Sequence, residues 1–190
     1  MRFANRAEAG RRLVERLGHL RGEDVVVLGL PRGGVPVAFE VAQALEAPLD
    51  VIVVRKLGVP FQPELAMGAI GEGGVRVLNE EVVGLAGVSA AEVARVEERE
   101  RAELERRARR LRAGRPRIPL AGRTALIVDD GLATGSTARA ACRVARAQGA
   151  GRVVLAVPVA PPGWTARLRG DADEFVAVAT PGLFFAIGQF

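Results

Sequence analysis

The sequence predicts a single α/β domain built on a mostly parallel sheet flanked by helices. Short apolar runs recur at Val25–Gly29, Leu49–Val54, Thr124–Asp129, Arg152–Val159 and Glu174–Ala179. Their apolarity is largely unbroken rather than alternating, as in strands buried on both faces. Helical stretches separate most of them, and strands alternating with helices imply parallel pairing through right-handed crossovers. With 190 residues, the chain is long enough for one domain, 1–190, with a core of its own. Hydrophobic residues make up 49% and charged residues 26%, which excludes a disordered composition. No apolar run approaches the roughly 20 residues needed to cross a bilayer. The first residues lack the apolar run of a signal peptide, so a cytoplasmic protein is expected.

Taken in order, residues 5–20 show helical spacing at Ala9, Leu13, Leu17 and Leu20, with Asn5 as the N-cap. The first strand opens into Leu30-Pro-Arg-Gly-Gly-Val-Pro, and a second amphipathic helix runs to about Leu45. The next strand, Leu49–Val54, ends at Arg55-Lys56. Ala66–Ile70 and Val75–Leu78 flank a Gly-Glu-Gly-Gly turn and read as a hairpin. Ser89 with Glu92 forms a capping-box signature for a helix to Arg112, acidic in its first half and arginine-rich in its second. That helix would be roughly 35 Å long. Its apolar positions Val93, Val96, Leu104 and Leu111 are sparse, so it can bury only a narrow stripe. A solvated helix, a mobile lid, a dimer contact and an RNA-facing surface all fit that pattern. After Gly114 and Pro116 the alternation resumes, with a helix over Gly135–Gln148 and a short one after Pro162.

The net charge of +5 raises the question of nucleic acid, but much of the excess lies outside any patch. Lys56 is the one lysine in the chain. Where arginine is used nearly everywhere else, a retained lysine suits a position that needs a compact ammonium. The single cysteine, Cys142, rules out an internal disulfide and is expected as a small core residue. His19, the only histidine, reads as a surface or helix-end residue.

The chemistry concentrates in Ala125-Leu-Ile-Val-Asp-Asp-Gly-Leu-Ala-Thr-Gly-Ser-Thr137. Four apolar residues run into two carboxylates, a turn of small residues follows, and then a helix starts. A helix N-terminus of small residues offers free amides and a positive dipole end to a phosphate. Thr134, Ser136 and Thr137 add hydroxyl donors. Asp129 and Asp130 suit a polyol or a developing cation, because carboxylates accept from hydroxyls and stabilise positive charge. A phosphate cradle beside a diacid describes a sugar phosphate. Several other chemistries are excluded: there is no G-x-x-x-x-G-K-[ST], no G-x-G-x-x-G after a strand, no G-x-S-x-G elbow, and no Cys/His set for zinc.

This string resembles the phosphoribosyl pyrophosphate (PRPP) signature of the type I phosphoribosyltransferases, and the element order over about 20–180 is similar to theirs. The chain looks like a bacterial branch of that family. The resemblance implies a Rossmann-like sheet with a small C-terminal hood; the long inserted charged helix at 89–112 is larger than the family leads one to expect in that stretch. It implies that Asp129 and Asp130 hold the ribose hydroxyls and that Gly131 and Ala133, Thr134, Gly135, Ser136 and Thr137 hold the 5′-phosphate. The loop Arg32-Gly33-Gly34 would bind pyrophosphate, with Arg55 and Lys56 reaching the same group. Asp129, Asp130, Lys56 and Arg32 would then be the catalytic set. Gly131 departs from the family's usual aliphatic residue or Ser, and a looser turn is expected there.

The implied reaction is displacement of pyrophosphate from C1 of the ribose by a nitrogen nucleophile, through a transition state of oxocarbenium character. Mg²⁺ is the implied cofactor, bridging diphosphate and ribose oxygens with few protein ligands. Ala133 stands where 6-oxopurine enzymes of the family carry an acid, which points toward the adenine- and uracil-using branches. Phe184 and Phe185 are the expected stacking face for the acceptor. Residues 58–80, with Glu64 and glycines 71, 73 and 74, are the expected closing loop, and 58–115 the loop-plus-helix insertion. A homodimer is expected, with no membrane and no nucleic acid. The rival reading is a PRPP-sensing regulator that binds nucleic acid through the arginines of Arg106–Arg117. A third is an assembly subunit using the 89–112 helix.

Overall fold

The computed structural model describes residues 2–182 and 187. Five parallel strands form the main sheet: β1 (Val25–Gly29), β2 (Leu49–Val51), then β6 (Thr124–Val128), β7 (Arg152–Val159) and β8 (Glu174–Ala179). Their spatial order is β2-β1-β6-β7-β8. The continuous apolar runs are explained by cover on both faces. Val25, Val27, Leu126 and Val128 point into one core with helices α1 (Arg6–Val14) and α2 (Gly34–Leu45). Val26, Leu28, Ala125 and Ile127 point into the other, with α5 (Ser136–Ala147) and Trp164 of the short α6 (Trp164–Arg167). Asn5 caps α1 as expected, its side chain accepting from the Glu8 amide.

The order reverses between β1 and β6. From β1 the chain crosses one way to β2, and from β6 the other way to β7 and β8. Ligands of open parallel sheets bind in the crevice outside the strand ends at such a switch point. Gly29 and Val128 are register partners, so the loops leaving these two strands start level.

The intervening residues form a second layer. β3 (Val54–Val59), β4 (Gln62–Gly71) and β5 (Arg76–Leu78) make an antiparallel three-stranded sheet, followed by α3 (Glu80–Ala86) and α4 (Ala90–Arg112). The expected hairpin is the β4–β5 pair, with Ala69 opposite Val77. The strand expected over Leu49–Val54 is in fact divided. It leaves the parallel sheet after Val51, and Ile52 and Val53 are buried in different cores, so one apolar run serves two layers. Helix α3 has no counterpart among the expected elements. Its Asn79 cap, Glu80-Glu81 first turn and Gly87 in the left-handed region are all in the sequence, but no side chain in it is fully buried, so no apolar period marks it.

The capping box at Ser89 and Glu92 is formed, and α4 lays Val93, Val96, Leu104 and Ala108 on the second sheet, with Leu111 packed at the edge. Polar contacts do the rest of the anchoring. Arg101 donates to the carbonyls of Gly71 (2.7 Å) and Val75 (3.3 Å). Arg112, at the C-terminal end of α4, donates to both oxygens of Glu72 (2.7 Å each), to Asp50 Oδ1 (2.6 Å) and to the Val51 carbonyl (3.2 Å). Asp50 Oδ2 also accepts from the Ile118 amide at 2.8 Å. One guanidinium therefore ties α4, the turn after β4 and strand β2 together. The Arg112 and Asp50 side chains are only 9% exposed. Removing it would strand two carboxylates in low-dielectric surroundings. Arg112→Ala is expected to cost about 3 kcal/mol in urea denaturation, and Arg112→Lys to recover less than half because an ammonium cannot replace the fork. A midpoint shift with an unchanged denaturant slope is the expected signature.

Candidate active site

Two loops meet at the switch point. Leu30–Gly33 leaves β1 and turns into α2, held by the Leu30 amide on the Val128 carbonyl (2.9 Å) and the Gly34 amide on the Leu30 carbonyl (2.9 Å). Asp129 and Asp130 leave β6 directly beside it. At 34 the contact between the loops requires glycine, and at 33 glycine leaves Asp130 in place. A Cβ on Gly33 would stand 2.2 Å from Asp130 Oδ2, and one on Gly34 would stand 2.5 Å from the Val128 carbonyl oxygen. The expectation that Gly33 and Gly34 admit a ligand thus has a second physical basis: they admit the carboxylate pair. Arg32 is exposed and has no ion-pair partner among the described residues.

The two carboxylates differ. Asp129 is half-buried, and burial pushes its carboxyl up from 3.8 to about 7; the neighbouring Asp130 charge adds to this, while the Asp130 amide and Arg6 oppose it. Asp129 Oδ1 accepts from the Asp130 amide at 2.8 Å. Asp130 Oδ2 accepts both Nε (3.1 Å) and Nη2 (2.9 Å) of Arg6. Sequence reading missed Arg6. It opens α1 immediately after the Asn5 cap, 124 positions from Asp130, and no local pattern could join them.

The turn that follows is shaped for an anion. Leu132 is buried and its amide donates to Val159 (3.0 Å), which pins the turn to β7. Ala133, Thr134 and Thr137 are exposed, and Gly135 at φ 84° reverses the chain into α5. With Asp129, these residues line a cavity of about 150 Å³. The turn is not loose at Gly131: a Cβ there would meet Ile187 at 2.7 Å and Val159 at 3.1 Å, so neighbouring aliphatic groups fill the space a side chain would take. Lys56 approaches from β3, its Nζ donating to Ser136 Oγ at 3.1 Å.

A family model described as phosphoribosyl transferase domain matches residues 4–181. The chain belongs to that family. Two Mycobacterium tuberculosis proteins, from strains CDC 1551 / Oshkosh and H37Rv, are named as candidate phosphoribosyl transferases; each is 66% identical over 187 residues, 98% of this chain. This chain spans 42% of those relatives' length. A crystal structure of a Thermus thermophilus protein matches with a TM-score of 0.92 and 46% identity, over 100% of this chain and 90% of that one. A Staphylococcus aureus hypoxanthine phosphoribosyltransferase shares the fold at a TM-score of 0.51 and 12% identity, over 95% of this chain and 77% of that one.

Within this phosphoribosyl transferase fold, the structure sets Gly33 and Gly34 against Asp130 and Asp129 and lines one cavity with Asp129 and the turn that follows it, while Arg32, next to Gly33, is exposed. The structure does not bring Arg55 there. Arg55 and Lys56 follow one another on β3 and point to opposite sides, and Arg55 Nε pairs with Glu100 of α4 at 2.8 Å. Lys56 reaches the Ser136 hydroxyl, whereas the resemblance implied a place beside Arg32. Phe184 and Phe185 lie outside the described residues. On the far side of Asp130, a cavity of about 350 Å³ is lined by Phe3, Asn5, Arg6, Val159 and Ile187. Cys142 is buried, and burial pushes its thiol up to about 12, which excludes it as a nucleophile.

The raised Asp129 carboxyl has a consequence for stability. Below its ordinary value of 3.8 it is protonated in folded and unfolded chains alike; as pH rises toward about 7 only the unfolded chain ionises readily, so stability falls, and above 7 the loss levels off. Asp129→Asn is expected to raise the Tm of the ligand-free chain by roughly 5 °C at pH 8. The gain should shrink steadily in thermal scans toward pH 4, where the two proteins should melt together.

Proposed function

We propose that this chain transfers the 5-phosphoribosyl group of PRPP to a nitrogen acceptor, a nucleobase, and releases pyrophosphate. The observation that carries this reading is the meeting, at one switch point, of a diacid, an anion-shaped turn and an arginine-bearing glycine loop. Asp129 and Asp130 accept from the ribose 2′- and 3′-hydroxyls. Exposed amides and hydroxyls of Ala133–Thr137 take the 5′-phosphate, and Lys56 adds a positive charge at Ser136. Arg32 faces the diphosphate, where a fork matches two phosphate oxygens. The acceptor nitrogen's lone pair forms the bond to C1 as the C1–oxygen bond to the diphosphate breaks, and the acceptor's proton leaves to solvent or to the departing diphosphate. Nothing covalent with the protein is needed; positioning and electrostatics do the work.

Mg²⁺ fits as an ion carried largely by the substrate. Among the described residues no cluster of three or more metal-binding side chains exists, and the crevice offers only its carboxylate pair and hydroxyls. Such an ion keeps its waters and ligand oxygens, neutralising the leaving group when bound. The acceptor is proposed to enter the cavity beside Asp130, where Phe3 supplies an aromatic face and Arg6 a donor; Phe184 and Phe185 remain proposed contributors. Ala133 in place of an acid favours an adenine- or uracil-like base over a 6-oxopurine. Residues 58–80 are proposed to close over the site through the β3–β4 tip, where Phe61 is exposed; the rest of that span is built into β4 and β5. A homodimer and a cytoplasmic setting complete the proposal. No helix among the described residues is long and apolar enough to cross a membrane.

Pyrophosphate release across a panel of nucleobases with Mg²⁺ and PRPP tests the reaction. Asp129→Asn with Asp130→Asn should abolish PRPP binding by calorimetry while leaving the far-UV spectrum intact; unchanged affinity would overturn the assignment. Lys56→Ala should weaken PRPP by about 1–2 kcal/mol, as loss of a charged hydrogen-bond donor does. Arg6→Ala should raise KM for the acceptor more than for PRPP. Binding of PRPP without turnover on any base, with salt-sensitive RNA binding, would favour the regulator instead.

A further inference from the structure

A larger cavity lies away from this crevice, between β5, the start of α3, the outer face of α5 and the loop after α6. Its volume is about 660 Å³. It shares Val77, Asn79 and Arg143 with a cleft of about 80 Å³ that runs to Lys56 and Ser136. Neither shares a lining residue with the two cavities at Asp129 and Asp130.

The walls are cationic by construction. Arg139, Arg143 and Arg146 are spaced four and three positions apart, so they form one stripe on α5. Like charges at this spacing repel, and the fold answers with Asp171. Asp171 is the one buried charged residue among those described, at 8% exposure. Its two oxygens accept Nε of Arg139 (3.1 Å) and Nε of Arg143 (2.8 Å). Both contacts use Nε, which fixes each guanidinium plane while leaving the terminal nitrogens of Arg143 without a partner among the described residues. Arg146 is steadied by Asp173 at 2.9 Å, and Arg169 has no ion-pair partner among the described residues. Arg143, Arg146 and Arg169 line the larger cavity against the carboxylates of Glu80 and Asp171 alone. A buried carboxylate that orients arginines outward prepares donors for an anion at little further entropic cost.

The size and the remaining lining narrow the ligand. The cavity is far larger than one phosphate group, and within the range of small-molecule sites. Val77, Leu78 and Ala147 give it an apolar floor, suited to a ribose or a base edge. No lining residue is aromatic, whereas grooves for single-stranded nucleic acid stack successive bases on aromatic rings. We propose that this cavity is a second site, for a nucleoside triphosphate, with the phosphate chain on Arg143, Arg146 and Arg169 and the nucleoside over Val77 and Leu78. The assignment does not depend on what the crevice at Asp129 binds.

ATP and GTP, titrated separately by calorimetry into the full chain, test it. At least one should bind the Asp129→Asn/Asp130→Asn protein within about twofold of its affinity for the unaltered chain. Arg146→Ala with Arg169→Ala should weaken that nucleotide at least about tenfold while leaving PRPP affinity unchanged. Arg169→Glu alone, at an exposed position with no partner to lose, should do the same if the double variant folds poorly. The proposal is overturned if neither nucleotide binds, if binding vanishes with the two aspartates, or if Arg169→Glu has no effect. RNA binding without mononucleotide binding overturns it equally.

Discussion

The constraint on which the site depends is the close approach of two loops that leave neighbouring parallel strands at the same height. Because Gly29 and Val128 are partners, the chain after β1 and the chain after β6 have to occupy one small volume. A side chain at 34 would collide with the backbone at the end of β6, and one at 33 would displace Asp130, so glycine at 34 is imposed before any ligand is considered. The same crowding takes water from Asp129 and raises its carboxyl. Loop geometry and carboxyl chemistry are therefore one fact seen twice.

The second layer brings Lys56 to the turn after β6. The antiparallel sheet would be a marginal object alone, since three short strands need a partner to bury their apolar face. Helix α4 supplies that partner through a narrow stripe, and Arg101 and Arg112 convert its polar end into fixed bonds to the turns beneath it. Through Asp50, Arg112 also locks the layer to the parallel sheet. That frame sets the position of β3, and hence of Lys56, whose ammonium would otherwise sit on a long, mobile stem. An arginine at 56 would bring a planar fork to a single hydroxyl, where a compact charge is what the turn can use.

Legibility in the sequence followed the range of the physics involved. The parallel strands, the α1 cap, the Ser89 capping box and the Asp129–Thr137 turn are local patterns, and each was readable from neighbouring residues. What failed needed tertiary information. The Leu49–Val54 run gives no sign that it is shared between two cores. Arg55 and Lys56 are adjacent in sequence, yet strand pleating sends one to Glu100 and the other to Ser136. The Arg6–Asp130 contact joins distant parts of the chain and has no sequence signature. Gly131 is the instructive case: it reads as slack, but Ile187 and Val159 fill its place, so the turn is set by residues far along the chain.

A crevice with two adjacent carboxylates is a poor receptor for a polyanion, and the structure shows how that conflict is reduced. Asp130 is paired with the Arg6 guanidinium, and burial raises the Asp129 carboxyl to about 7, which favours its neutral form. The crevice thus presents less negative charge than its composition suggests, while Arg32 is exposed and Lys56 reaches Ser136. When hydroxyls donate to the pair, they stabilise the ionised form of Asp129 and compete with Arg6 for Asp130. On the proposed reaction, negative charge would then develop at the carboxylate pair as a ribose binds, and would stabilise an electron-deficient C1.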